Sequence, residues 1–390
     1  IELLLLDVDG VLTDGGITYS DSGDQIKTFN SRDGFGIRLL MDSGIGVGII
    51  TGRKSKALEL RCENLGIHLL FDGINDKSKA LDKIINKINS EGGVHIISTP
   101  VHFEWKGNRF EGLTEDDVQV LNPDMFIILF DDIVRVRDRL AADVQWQDHK
   151  YTLGEIANWR REEVNSVYRL AESFVPKRNI QLVAYENDVE IVRDLIYKPS
   201  KETVYLSHPI TGEGADFFKK ITKFLDSLSE YYVIYDPYLI KDWDIVEQWR
   251  DAINETIDAG QEMPDTFTFN MEYKTGPVSV EFDIKEVETA IKNLRFQIID
   301  SDYKIIENSD LTVVYHPRKS ISAGVMCEMV YAKALAKLVY AYYPYEPSPF
   351  FEWYATRIFT DADEMRDFLI KESRMTGQRP LDYFSGNQDK

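Results

Sequence analysis

Short apolar runs, each closed by turn-forming polar residues and separated by helix-period text, recur along this chain and restrict its fold more than any other feature. Glu2–Asp7 and Gly46–Thr51 are the first two runs, with helical patterns over Gly34–Ser43 and Ser55–Leu65. Strands that alternate with helices build a parallel α/β sheet, since every crossover must return the chain to the same edge. Residues 15–29 break the pattern with alternating, Gly-punctuated text and predict a β-hairpin. Val94–Ser98 and Met125–Phe130 read as buried strands, and 133–175 as charged helix. The strand Thr203–Ser207 opens a further α/β section. It continues with the strand Leu311–Tyr315, a helix over Gly324–Lys337, the strand Leu338–Tyr343 and a last helix near Ala362–Glu372. The Gly- and Pro-punctuated stretch 258–285 predicts an inserted hairpin or lid. The expected fold class is therefore multi-domain α/β with Rossmann-like parallel sheets, divided into 1–90, 91–199 and 200–390.

A length of 390 residues exceeds one ordinary core. Hydrophobic content of 43% with 28% charged residues is the balance of a globular protein. No apolar run approaches the ~20 residues of a membrane span, and the chain opens on a strand without signal-peptide text. Cys62 and Cys327 lie far apart, which disfavours a disulfide framework or a structural zinc site and predicts a reducing cytoplasm. A net charge of −21 repels nucleic-acid backbones and acidic membranes, so neither is an expected partner. Small anions still bind where backbone N–H groups converge.

The first chemical constellation is Asp7-Val8-Asp9-Gly10-Val11-Leu12-Thr13-Asp14, directly after an apolar strand. A parallel strand delivers the residues after it to the carboxyl edge, where such folds bind ligands. Two carboxylates two residues apart suit a magnesium ion together with a nucleophile and a proton donor. The second strand leads into Thr51-Gly52-Arg53 at the same edge, and Asp76-Lys77 offers a cation for phosphate. An isolated acid pair of this kind is commonly a loop feature, and Arg32 alone is an ordinary surface cation. The ordered set DxDGVLTDG, hairpin, FNxRDG, TGR, RCENLGI and DK resembles the haloacid dehalogenase superfamily, in its cap-less branch containing the KDO-8-phosphate phosphatases. The resemblance implies Asp7 as nucleophile, Asp9 as general acid/base, Thr51, Gly52 and Lys77 around phosphate, and Mg²⁺ held by Asp7 and Asp9. It also implies Arg32 and Asp33 at the pocket rim, and a tetramer packed through the hairpin. A later Gly-Asp-Asp of that family has one counterpart here, Phe130-Asp131-Asp132, without the glycine.

The middle text, Gly93 to Pro100, Gly112-Leu113, Leu121–Asp124 and Phe126–Asp132, resembles the second half of archaeal-type adenylate and related nucleotide kinases. Arg135, Arg137, Arg139 and Trp159–Glu163 match the arginine-bearing lid of that family, or else form an ordinary salt-bridged helix surface. No G-x-x-x-x-G-K-[ST] occurs in the chain, so no phosphate-cradling loop is assigned. Phosphatase-like text stops near Asn89 and kinase-like text begins near Gly92, each incomplete at that junction. Either a segment is missing there or two decayed halves are fused.

The last constellation joins Val204–Gly212, Asp302–Val314 and Ser322-Ala-Gly-Val-Met-Cys-Glu328. Ser322 and Gly324 stand where a strand-following loop enters a helix, whose free N–H groups favour an anion. Glu328 lies one turn further in, and Asp302 comes from another element. Two carboxylates flanking a sugar can cleave a glycosidic bond. Taken singly, Ser322 is an N-cap, Asp310 a turn acid and Tyr205 a core residue. The ordering resembles the nucleoside 2-deoxyribosyltransferase family, nearest its nucleoside 5′-monophosphate N-glycosidases. That resemblance implies Glu328 as nucleophile, Asp302 as proton-handling acid, Tyr205 orienting the glutamate, and Ser207, Ser322 and Gly324 binding substrate or phosphate. His208-Pro209 departs from the family's small or Gly-rich turn. The expected whole is a nucleotide-processing enzyme with a phosphatase and a glycosidase site. The alternatives are a nucleotide sensor without turnover, or a glycosidase whose front half is an oligomerising scaffold.

Overall fold

The computed structural model describes residues 3–9, 11–13, 18–21, 25–42, 45–73, 94–105, 108–142 and 150–375. They divide into two compact units, Ile1–Phe126 with Ile133–Asn179, and Ile127–Asp132 with Ile180–Lys390. Among the described residues no helix is long and apolar enough to cross a membrane. Most of the junction at 88–95 lies outside them, as does Lys77.

The first unit holds β1 (Leu3–Leu6), β2 (Thr18–Tyr19), β3 (Gln25–Ile26), α1 (Ser31–Asp42), β4 (Gly46–Ile50), α2 (Lys56–Leu65) and β5 (Leu69–Phe71). It continues with β6 (His95–Ile97), β7 (His102–Trp105), β8 (Asn108–Glu111), α3 (Glu115–Leu121), α4 (Ile133–Ala142) and α5 (Leu153–Glu172). Its sheet has the order β5-β4-β1-β6, and β1 runs parallel to both β4 and β6. The predicted hairpin is present as β2 paired antiparallel with β3. Helix α1 begins at Ser31, ahead of the expected Gly34, because Asn30 accepts the Arg32 amide on its side chain and the Gly34 amide on its carbonyl. Helix α2 stops at Gly66, whose φ of 80° lets its own and the Ile67 amides return to Glu63 and Cys62. Val8, Ile37, Val47, Ile49, Leu58 and Cys62 form the core between sheet and helices.

The expected boundary near residue 90 does not coincide with the division between units. Strand β6 hydrogen-bonds beside β1 and so belongs to the first sheet, whereas the Met125–Phe130 strand (β9) pairs with β10 (Asn179–Ala184), almost wholly within the second unit.

The second unit continues with α6 (Val189–Tyr197), β11 (Thr203–Ser207), α7 (Ala215–Leu228), β12 (Val233–Tyr235), a 3₁₀ turn at Pro237–Leu239 and α8 (Asp242–Asp258). Then come β13 (Thr266–Tyr273), β14 (Gly276–Asp283), α9 (Ile284–Asn308), β15 (Leu311–Tyr315), α10 (Ala323–Ala334), β16 (Leu338–Tyr342), α11 (Pro349–Tyr354), β17 (Arg357–Phe359) and α12 (Ala362–Met375). Its five strands run parallel in the order β12-β11-β15-β16-β17. Every residue of β11 and β15 is buried, as expected of central strands covered on both faces. One face packs Val204, Leu206, Ile221, Phe224, Val313, Met365 and Leu369 together. Helix α10 ends at Ala334 rather than the expected Lys337, because Ala336 adopts a left-handed φ of 57° and the Lys337 amide turns back to Ala332.

Residues 258–285 contain the predicted hairpin, with β13 and β14 antiparallel from Thr266↔Asp283 to Tyr273↔Gly276. Alternate residues Phe269, Met271 and Tyr273 are buried, and Trp249 of α8 meets Phe267 edge-on at 5.5 Å. Phe269 is fully buried, so Phe269→Ala is expected to cost about 3–5 kcal/mol. Urea unfolding followed by tryptophan fluorescence checks that figure.

Candidate active sites

In the second unit, β11 lies between β12 and β15, which makes the carboxyl ends of these strands the switch point at which such sheets bind ligands. All three strands end in a residue followed by proline: Ser207-His208-Pro209, Tyr235-Asp236-Pro237 and Tyr315-His316-Pro317. Proline has no N–H for the ladder, so pairing stops and the preceding side chain is left at the edge. His208, Asp236 and His316 are all buried there.

Ser207, the last residue of β11, donates its hydroxyl to Glu328 Oε2 at 2.5 Å. The Tyr205 hydroxyl lies against the same carboxylate, short of hydrogen-bond geometry, and its buried oxygen has no other hydrogen-bond partner. Burial, reinforced by the charges of Asp302 and Glu328, pushes its ionisation well above the ordinary tyrosine value. Asp302, from α9, interacts electrostatically with Glu328, from α10, although 26 positions separate them. Both carboxylates are densely surrounded yet keep partial solvent access.

Burial and the like charges of Glu328, Asp242 and Asp236 hold the Asp302 carboxyl well above the usual carboxylate range. Burial also raises Glu328, but the Ser207 hydroxyl, His208 and Tyr205 act in the opposite direction. The environments therefore separate the two acids, Asp302 retaining a proton more strongly than Glu328.

Gly324 joins this constellation: a Cβ there would stand 3.7 Å from Ser322 Oγ and 3.8 Å from Glu328 Oε1. Ser322 is the N-cap residue of α10, and its hydroxyl makes no capping bond. Its amide donates to His316 Nε2 at 3.1 Å, while His316 Nδ1 donates to the Arg318 carbonyl at 3.1 Å. Arg318 pairs with Glu213 and donates to the Thr211 carbonyl, which ties the loop after β15 to the loop after β11. The predicted residues Tyr205, Ser207, Asp302, Ser322, Gly324 and Glu328 thus come together. Ser207's hydroxyl is spent on Glu328. Asp310 lies at the opposite end of β15, accepting the Thr203 amide and hydroxyl at 2.7 and 2.8 Å.

In the first unit, Leu6 is in register with Ile49, so Asp7 and Asp9 leave β1 beside Thr51 and Gly52 leaving β4. Asp7 Oδ1 accepts the Val8 amide at 2.8 Å, and buried Thr51 accepts the Arg53 amide at 3.4 Å. Gly52 and Arg32 are exposed. Asp9 pairs with Lys27, whose side chain is 1% exposed. Two carboxylates and a main-chain carbonyl make an all-oxygen donor set that suits magnesium. Among the described residues no three acidic, histidine or cysteine side chains gather as a metal cluster. Asp131 and Asp132 belong to the second unit, where Asp132 accepts the Tyr273 hydroxyl at 2.9 Å. The arginine-bearing helices of the middle section contribute to packing: Arg135 is buried, Trp159 donates to the His102 carbonyl, and Glu163 accepts the Val101 amide.

Lys27, Asp236 and His316 were not singled out by motif, and His208 only as a departure from the family's turn. Three of them carry a legible signal, a polar residue before the proline that closes an apolar strand.

The N-terminal part of the chain is similar to phosphatases of the haloacid dehalogenase type. It is 50% identical over 88 residues to the 3-deoxy-D-manno-octulosonate 8-phosphate phosphatase of Escherichia coli (strain B / BL21-DE3), covering 23% of this chain and 47% of that protein. With the same phosphatase of Yersinia pestis it shares 49% over 85 residues, 22% of this chain and 46% of the relative. The solved structure of the Moraxella catarrhalis enzyme, in complex with magnesium ion, phosphate ion and KDO, matches 23% of this chain and 51% of its own at 42% identity, with a TM-score of 0.22. A score that low carries no weight for the fold. The chain spans about half the length of the curated relatives it matches. No family model matches the chain.

The His316 imidazole is driven below its ordinary value by burial. The folded protein therefore favours the neutral ring, and the stability it contributes is present above about pH 6.5 and lost as pH falls toward the lower folded value. Thermal midpoints measured from pH 7.5 to 5 are expected to fall more steeply for the natural protein than for His316→Gln.

Proposed function

We propose that the chain is a nucleotide-processing enzyme with two chemistries: cleavage or transfer at the N-glycosidic bond of a nucleoside 5′-monophosphate at Glu328, and magnesium-dependent phosphomonoester hydrolysis at Asp7. The observation that carries the first is the Ser207–Glu328 hydrogen bond beside the proton-retaining Asp302, at the carboxyl edge of a parallel sheet. Glu328 attacks the anomeric carbon as the carbon–nitrogen bond to the base breaks, and Asp302 gives its proton to the departing base nitrogen. Water, or a second base, then displaces Glu328 from the sugar, and the proton released returns to Asp302. Ser207 holds one Glu328 oxygen so that the other faces the sugar. The Tyr205 hydroxyl offers a donor near the same carboxylate. Gly324 leaves room beside Ser322, whose free hydroxyl and the first amides of α10 receive the 5′-phosphate.

At the first site, similarity to the phosphatases and the placement of Asp7, Asp9 and Thr51 support phosphoryl transfer. Asp7 attacks phosphorus, Asp9 protonates the leaving alkoxide, and water later releases phosphate from Asp7. Magnesium, held by Asp7 and the Asp9 carbonyl, would supply neutralisation of phosphate charge. Lys77 as a phosphate partner, a tetramer, a cytoplasmic setting and a nucleotide-kinase-like middle section complete the proposal. A second reading, a sensor that binds nucleotides without turnover, is favoured by Lys27 lying on Asp9.

Incubation with Mg²⁺ and a panel of ribo- and deoxyribonucleoside monophosphates is expected to release free base and inorganic phosphate. Glu328→Ala should reduce base release by at least ~10³-fold and spare phosphate release, and Asp7→Asn should do the reverse. Ligand-induced thermal stabilisation with neither product would favour the sensor.

A further inference from the structure

His208 is a buried imidazole whose two ring nitrogens both face oxygen. Its Nδ1 lies 3.0 Å from the Pro209 carbonyl, and its Nε2 lies 3.0 Å from Asp236 Oδ1. A carbonyl oxygen only accepts, so Nδ1 carries a hydrogen. Asp236 Oδ1 already accepts the Tyr238 amide at 3.0 Å, so that oxygen also acts as an acceptor and Nε2 carries the second hydrogen. A ring protonated at both nitrogens is a cation. Its side chain is 0% exposed, and Phe217, Phe218 and Tyr238 wall it at ring distances of 5.9, 6.2 and 6.5 Å.

Building on the glycosidic reading of Glu328, we infer that His208 is a positioning residue: an imidazolium fixed between Asp236 and the Pro209 carbonyl, one residue beyond the Ser207 that holds Glu328, whose charge favours the ionised form of Glu328 over that of Asp302. The acidic groups that act on it are Asp236, which follows β12, and Glu328, from α10. Asp302 of α9 and Asp242 at the start of α8 belong to the acidic set around Glu328 and Asp236. Tyr238 is the titratable group of the 3₁₀ turn, and α7 contributes the neutral rings of Phe217 and Phe218. His208's charge acts on Glu328, whereas Asp302 feels the charges of Glu328, Asp242 and Asp236. Two coupled carboxylates would otherwise share one proton without a fixed owner. An adjacent cation that favours one of them assigns the nucleophile and the acid.

Burial alone would lower the His208 imidazole, but the charge and hydrogen bond of Asp236 outweigh it and leave it raised. The ion pair is thus made with Asp236, and the net field reaching Glu328 depends on the fixed orientation of the dyad.

The test reads protonation directly, so it does not require turnover. Long-range ¹H–¹⁵N spectra, with the His208 signal assigned by its loss in His208→Gln, are expected to show both ring nitrogens protonated at pH 7. The carboxyl ¹³C signal of Glu328, assigned with Glu328→Gln, should titrate at higher pH in His208→Gln than in the natural protein, by about one pH unit. Asp236→Asn, which releases the ring to become neutral, should move Glu328 in the same direction and keeps the test open if His208→Gln fails to fold. A neutral ring at pH 7, or a Glu328 titration unmoved in both variants, overturns the inference. If the protein also releases base, the acid limb of kcat should move with the Glu328 titration, giving about tenfold less turnover on that limb with KM changed less than about twofold. Absence of base release with the Glu328 titration moved as expected removes the glycosidic reading and leaves the electrostatic assignment standing.

Discussion

The second unit depends on three neighbouring parallel strands that end close together at one edge, Tyr235 lying opposite Tyr205 and Val314 opposite Ser207. β12, β11 and β15 each stop where a proline withholds the N–H that would extend the ladder, and each leaves a polar side chain at its end. Because the strands are adjacent and parallel, Asp236, Ser207 with His208, and His316 fall side by side along one edge. Helices α9 and α10 then bring Asp302 and Glu328 over that edge from the opposite direction in sequence. The Ser207–Glu328 hydrogen bond spans 121 positions and closes the arrangement.

Gathering four acidic groups in so small a space is electrostatically unfavourable in a chain of net charge −21. The site handles this by giving each acid a different surrounding. Asp236 pairs with His208, Glu328 receives the Ser207 hydroxyl and a nearby cation, and Asp302 is left among like charges with its proton. Unequal solvation of otherwise similar carboxyls is how one protein holds an acid and a nucleophile at the same pH. The two histidines divide along the same lines. His316 accepts an amide and is kept neutral, whereas His208 meets two acceptors and is kept charged.

In the first unit the logic is simpler. Asp7, Asp9 and Thr51 are carried to one edge by the neighbouring strands β1 and β4, and the β2–β3 hairpin returns Lys27 onto Asp9. An ion pair of that kind neutralises the acid that the phosphatase resemblance makes a proton donor, and its side chains are nearly sealed from water.

The chain's own text was sufficient for the strands that are buried on both faces and for the long hairpin with its alternating aromatics. Those features are written in local periodicity and in short-range turn chemistry, which depend on neighbours in sequence. Helix ends were legible within a few residues, failing where a side-chain cap at Asn30 or a left-handed alanine at position 336 overrode the apolar pattern. Strand order was not legible, and neither was the membership of β6 in the first sheet and β9 in the second unit, because pairing is chosen by packing between distant segments. The same holds for the protonation of the acids and histidines. His208, Asp236, Asp302 and Glu328 are ordinary titratable residues in the sequence, and their different charges arise from burial and from partners that the tertiary fold alone brings within reach.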